Sequence, residues 1–146
     1  MAKGKIESPE LEHFLSIARA VFDGYGRAVT EGEIDAFLLQ LDPQIDLQIP
    51  SATLGTIVTS HGKEEVRRYL EEITDEYLEL RLEPLDFRSL SHGRMLVIGR
   101  WRGQVSGGTT PFGTPFAAIM ELHDEKVVRL HAFMDVEQAI EAAESD

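Results

Sequence analysis

Tyr25 is the side chain best placed to do chemistry. It falls on the apolar stripe of an N-terminal run in which Leu11, Phe14, Leu15, Ala18, Val21, Phe22, Tyr25 and Val29 recur at helical spacing. A phenol on the buried side of a helix needs a hydrogen-bond partner, which a ligand, the backbone or water can supply. Further on, Arg100 and Arg102 share one strand face with Leu96 and Ile98, while Trp101 shares the other with Val97 and Gly99. If the arginine face turns inward, two guanidiniums would hold an anionic or carbonyl-bearing ligand. If it turns outward, they are solvated charges or interface ion pairs. Alternation alone leaves both open, and only one of Trp101 and the arginine pair can line an interior. Arg100 is the candidate polar anchor, and Trp101 is expected in core or dimer packing.

The histidines offer less. His131 and Asp135 are four apart, but the first lies in a strand and the second begins a helix, so they do not form a helical metal pair. His131 is expected on the outer face and Asp135 as a helix cap. His61 and His92 fall at turns, and His123 with Asp124 and Glu125 reads as a solvated hairpin tip. No Gly-x-Ser-x-Gly elbow or phosphate loop occurs, and Ser106-Gly107-Gly108 lies between strands, with no helix start to offer an anion. No metal or cofactor is expected. The chain has no cysteine, which removes disulfides, thiol nucleophiles and thiolate metal sites. A formal charge of −12 argues against nucleic acid, because phosphate binding needs a basic surface. No window approaches the ~20 apolar residues of a membrane helix. The opening MAKGKIESPE has no apolar run, so no signal peptide is expected and the cytoplasm is the default location.

The elements that must position these residues follow from periodicity. The 146 residues predict one domain with a loose tail over residues 1–7. Ser8-Pro9 starts the first helix, Gly32 ends it, and a short second helix holds Ile34, Phe37, Leu38 and Leu41. Ile45, Leu47 and Ile49 alternate as a half-buried strand ending at Pro50, and residues 51–60 read as a loop or short strand. A third helix after His61-Gly62 turns Val66, Tyr69, Leu70 and Ile73 inward. Leu78, Leu80 and Leu82 alternate, then Leu85 and Phe87 resume in the opposite phase after Pro84, which predicts a bulge or an edge strand. Met95 to Val105 is a long strand. The stretch from Thr114 to Ala143 reads as two strands, a charged turn at His123 to Lys126, and a closing helix capped by Asp135 with Gln138 three residues on. Val128, Leu130, Ala132 and Met134 fall on one face of the second strand, and Arg129, His131 and Phe133 on the other. Helices grouped before a run of antiparallel strands give an α+β fold: a curved antiparallel sheet wrapped around the N-terminal helices, enclosing a conical apolar cavity.

Three segments carry a family likeness: VFDGYGRAVTEGEIDAFLLQLDPQIDLQIP, the HGKEEVRRYL helix, and EKVVRLHAFMDVEQAIEAA. From about Val21 to Ala143 the chain resembles the nuclear-transport-factor-two-like superfamily, which includes ketosteroid isomerases, limonene epoxide hydrolases and SnoaL-like polyketide cyclases. The resemblance implies a cone-shaped cavity and a homodimer built on the outer sheet face. It matches Tyr25 to the tyrosine that donates to a substrate oxyanion. It also puts apolar residues where the relatives carry acids: Ile49 at the proton-abstracting aspartate, Ala118 at a second carboxylic acid, Ala132 at the aspartate of hydrolases and cyclases. Arg100 matches an arginine of the hydrolases, and Arg102 stands in place of its acidic neighbour.

The leading expectation is a domain binding a small, largely apolar molecule in a cavity lined by Phe22, Tyr25, Phe116, Leu130, Ala132 and Met134, with Arg100 as anchor. Two alternatives stand beside it. One is an isomerase-, cyclase- or hydrolase-type enzyme using Tyr25 with a base among His61, His92 and His131. The other is a structural or interaction dimer without ligand.

Overall fold

A computed structural model describes residues 9–50, 57–74, 76–90, 93–108, 111–133 and 135–145. Helix α1 (Pro9–Glu31) is followed by the short α2 (Ile34–Leu38). Strands β1 (Leu41–Pro50) and β2 (Ile57–His61) precede α3 (Gly62–Ile73). The long strands β3 (Tyr77–Ser89), β4 (Arg94–Val105), β5 (Phe112–His123) and β6 (Lys126–Phe133) lead to α4 (Val136–Ser145). Ser8, the expected cap of α1, lies outside the described residues, as do residues 51–56.

The strands form one sheet in the order β2-β1-β6-β5-β4-β3. The expected meander occupies β3 to β6, where each strand pairs antiparallel with the next. The early strand enters differently from expectation: β1 lies parallel to β6, which makes the sheet mixed, and β2 pairs antiparallel on its far side. The hairpin tip between β5 and β6 is two residues, Asp124 and Glu125, both with positive φ (54° and 66°). That is the backbone a two-residue hairpin turn requires.

Bulges give the sheet its curvature. β3 is an edge strand, and its register against β4 slips between Tyr77 and Glu79 and again between Pro84 and Asp86. The sequence signal at Pro84 therefore marked both an edge and a bulge. The supernumerary residues Leu78 and Leu85 point to solvent, 62% and 67% exposed. On β6, Val127 pairs with Leu122 and Arg129 with Glu121, so Val128 is the extra residue. This slip corrects the strict alternation expected there: Val127, rather than Val128, joins Leu130 in the core.

Two apolar layers flank the sheet. On the concave side, Leu47, Leu80, Phe87, Met95, Val97, Phe116, Ala118, Met120, Val127 and Leu130 pack against the α1 stripe of Ala18, Val21, Phe22, Tyr25 and Val29, with Phe37 from α2 and Val66 and Leu70 from α3. On the convex side, Leu96, Ala117 and Ile119 are covered by Ala139 and Ala143 of α4. Asp135 Oδ1 accepts the Glu137 N–H at 2.9 Å and so caps α4 where it turns back onto the sheet. The outer face over β4 and β5 is thus occupied by the chain's own helix, and the bare sheet surface expected for pairing two copies is reduced to that extent.

Two glycines permit close approach. A Cβ on Gly26 would lie 2.7 Å from the Leu80 carbonyl oxygen, so only glycine lets α1 sit directly on β3. A Cβ on Gly99 would run into the Glu83 carbonyl and the Phe116 ring.

Candidate functional site

The concave face, α1 and the end of β1 enclose a hollow. Phe22 and Tyr25 supply its α1 wall, Trp101 and Phe116 its floor on β4 and β5, and Leu130 and Ala132 its β6 side. Ile49, Pro50, Leu82 and Phe133 complete the lining. Phe22 and Phe116 meet edge-on, with ring centroids 5.6 Å apart. Among the described residues, the atoms facing the hollow are all apolar. As packed, its free volume is about 20 Å³. That is room for about one water, and no described residue of the wall offers a polar partner to hold it.

Of the residues expected to line the cavity, the fold brings together Phe22, Tyr25, Phe116, Leu130 and Ala132. Met134 lies outside the described residues. Arg100 is placed elsewhere: it is exposed on the convex face and does not border the hollow. The physical reason is the register of β4. Met95, Val97 and Trp101 join the inner core, while Leu96 and Ile98 join the layer under α4. The two arginines, in phase with Leu96 and Ile98, must point out. Trp101 is 4% exposed and belongs to the hollow's wall. The neighbouring Gly99, which makes room for Phe116, was the one hint of this in the sequence. Phe133 was assigned to the outer face. It packs against the outer layer and also borders the hollow, a position at the strand end that alternation does not foresee.

The ring of Tyr25 borders this space, but its hydroxyl is engaged elsewhere. Its hydroxyl lies 3.0 Å from that of Tyr69 on α3, and its ring meets Phe37 edge-on at 5.8 Å. Burial, reinforced by Tyr69, holds its pKa well above the ordinary phenol range. Tyr69 is pushed up to about 12, again chiefly by burial. Both are neutral hydroxyls at any physiological pH, and each can satisfy the other. Tyr69 was foreseen on the inner face of α3 but not as this partner, because nothing local links residues 44 apart.

No titratable side chain other than Tyr25 lines the hollow among the described residues. The histidines considered as bases lie elsewhere. His131 Nε2 is 3.1 Å from Asp46 Oδ2, and His61 Nδ1 is 3.7 Å from Asp46 Oδ1, on adjacent strands away from the cavity. His92 is outside the described residues. Among the described residues, no group of three or more histidine, aspartate, glutamate or cysteine side chains is arranged to hold a metal ion. Ile49 and Ala132, where the resemblance places catalytic acids, do face the hollow and are apolar.

The chain belongs to the SnoaL-like domain family, whose model matches residues 19–130. Solved structures agree in fold. An NTF2-like protein of unknown function from Burkholderia pseudomallei is similar with a TM-score of 0.66 and 21% identity, over 90% of this chain and 97% of that one. A putative SnoaL-like polyketide cyclase from Jannaschia sp. gives a TM-score of 0.67 and 16% identity, over 98% of this chain and 99% of that one. TerC, co-crystallised with polyporic acid, gives 0.64 and 20%, over 95% and 100%. At such identities the likeness is one of fold alone. Comparison with curated proteins returns no match. No helix among the described residues is long and apolar enough to cross a membrane.

Proposed function

We propose that this SnoaL-like domain binds a small, largely apolar molecule in its hollow, which widens as the aromatic walls move. The observation that carries the reading is a wall on which no described residue exposes a polar atom, built from Phe22, Trp101 and Phe116, inside a fold that TerC, co-crystallised with polyporic acid, shares. Burying apolar ligand surface against such a wall yields about 25 cal/mol per Å², which favours flat or compact hydrophobic molecules over charged ones. The cyclase or isomerase reading has less support. The Tyr25 hydroxyl is engaged with Tyr69, and among the described residues no base faces the space where a substrate would sit. A second copy would meet this chain beside or over α4 rather than on a bare sheet. The cytoplasm is the proposed site of action.

The chain's single tryptophan, Trp101, is a built-in reporter. Titration with a panel of small aromatic and terpenoid molecules is expected to change its fluorescence saturably and to raise the melting temperature. Panel-wide silence in both signals, with no adduct in native mass spectra, would overturn the reading. Release of a chemically altered product would favour the enzyme reading instead.

A further inference from the structure

The convex face of β3 and β4 is divided. Its Arg94 end lies under α4, where Leu96 and Ile98 join the outer apolar layer. Its Val105 end carries the exposed Arg81, Arg100 and Arg102. Arg81 pairs directly across from Arg102, and Arg100 across from Glu83, so three arginines face one glutamate in these two registered pairs. Arg102 Nε reaches that glutamate at 3.2 Å. Arg81 and Arg100 have no ion-pair partner among the described residues. All three arginines are exposed. In a chain of net charge −12, two unpaired guanidiniums beside a third are not explained by solubility.

Like charges directly opposite on neighbouring strands repel, and their Cβ atoms stand about 4.5–5.5 Å apart. Between Arg81 and Arg102 lies an open recess of about 280 Å³, bordered also by Glu79, Gly103 and Pro111. Arg81 also borders a second, adjoining trough against α1, where Arg19 and Arg27 are offset by Asp23, Glu31 and Glu79.

We propose that Arg81 and Arg102 form a surface site for a phosphate-type oxyanion. Two planar guanidiniums across one recess can each donate paired N–H groups to different oxygens of the same anion, turning their repulsion into charge-assisted hydrogen bonds. Glu79, opposite Gln104, and Glu83, engaged by Arg102, border the site and weaken it. With the three arginines they leave a local charge of +1. The acidic remainder of the chain is screened beyond a Debye length of about 8 Å at physiological salt. The site is independent of the hollow, since it lies on the opposite face of β4.

The test is titration of the full chain with inorganic phosphate at physiological ionic strength, where the screening holds, followed by calorimetry and amide NMR shifts. Saturable binding is expected, with shifts confined to the β3–β4 end. Arg81→Gln and Arg102→Gln should each weaken it by ~10-fold or more, and Arg88→Gln, which removes a different exposed arginine paired to Asp86, should leave it unchanged. A parallel titration with phenyl phosphate separates the sources. Equal affinity identifies free phosphate, and much tighter binding identifies an organic phosphomonoester lying over Pro111. Phosphate binding that is unsaturable, or equally strong in Arg81→Gln, overturns the proposal. So does a salt-sensitive dimer lost in Arg81→Gln, which would assign the arginines to a carboxylate of a second copy.

Discussion

The two faces of β4 are built from one continuous strand and do opposite work. Inward, Met95 and Val97 join the core against α1, Gly99 makes room for Phe116, and Trp101 borders the hollow. Outward, Leu96 and Ile98 seat α4, and Arg100 and Arg102 stand in water. One residue of register separates the two sets. A slip of one would bury two guanidiniums and expose Trp101. Such a burial carries a desolvation cost of several kcal/mol per charge unless each is paired. The difference teaches that Gly99 fixes the strand, because the Glu83 carbonyl and the Phe116 ring occupy the space a side chain would need.

Truncating the inner face should have the largest effect. Phe116→Ala removes a ring that is 1% exposed and is expected to cost about 3–5 kcal/mol in urea denaturation. It should also open the hollow, so that benzene, added as a probe, recovers part of the lost stability. A loss below about 1 kcal/mol would mean that the inner wall is not packed as described.

The glycine comparison sharpens the register. Gly99→Ala should cost about 2–3 kcal/mol through overpacking. Gly113→Ala, on the neighbouring strand with nothing within 4 Å of its added Cβ, should stay within about 0.5 kcal/mol. Equal effects at the two positions would contradict the close approach of β3 to β4.

A smaller effect is expected at the phenol pair. Tyr69→Phe leaves the buried Tyr25 hydroxyl without its partner, at about 1–2 kcal/mol. The pair also sets an alkaline limit. Both phenols titrate above the ordinary value of about 10, so the folded state holds its protons where the unfolded state has released them. This contribution is complete below pH ~10 and is lost as pH rises above it; for Tyr69 the loss runs to about 12, at roughly 1.4 kcal/mol per pH unit. Tyrosinate absorbance should therefore appear together with loss of structure. Free ionisation of Tyr25 in the folded protein would show that it is not buried.

The smallest effect is expected outside. Arg100→Ala should change stability by less than about 0.5 kcal/mol and leave Trp101 fluorescence titrations with apolar ligands unaltered. A strong loss of ligand binding in this variant would restore the inward reading of the arginine face.

The α1 stripe, the α3 face, the hairpin at Asp124-Glu125 and the break at Pro84 were legible in the chain, because each rests on local periodicity or turn chemistry. Phe22, Tyr25, Phe116, Leu130 and Ala132 could be grouped from their phase and the family likeness. The parallel seat of β1 against β6, the bulge at Val128 and the Tyr25–Tyr69 contact could not, since each joins segments with no mutual signature in sequence. The choice between Trp101 and Arg100 also belonged to tertiary structure. Alternation defines two faces of a strand, but only packing against α1 on one side and α4 on the other decides which of them is kept from water.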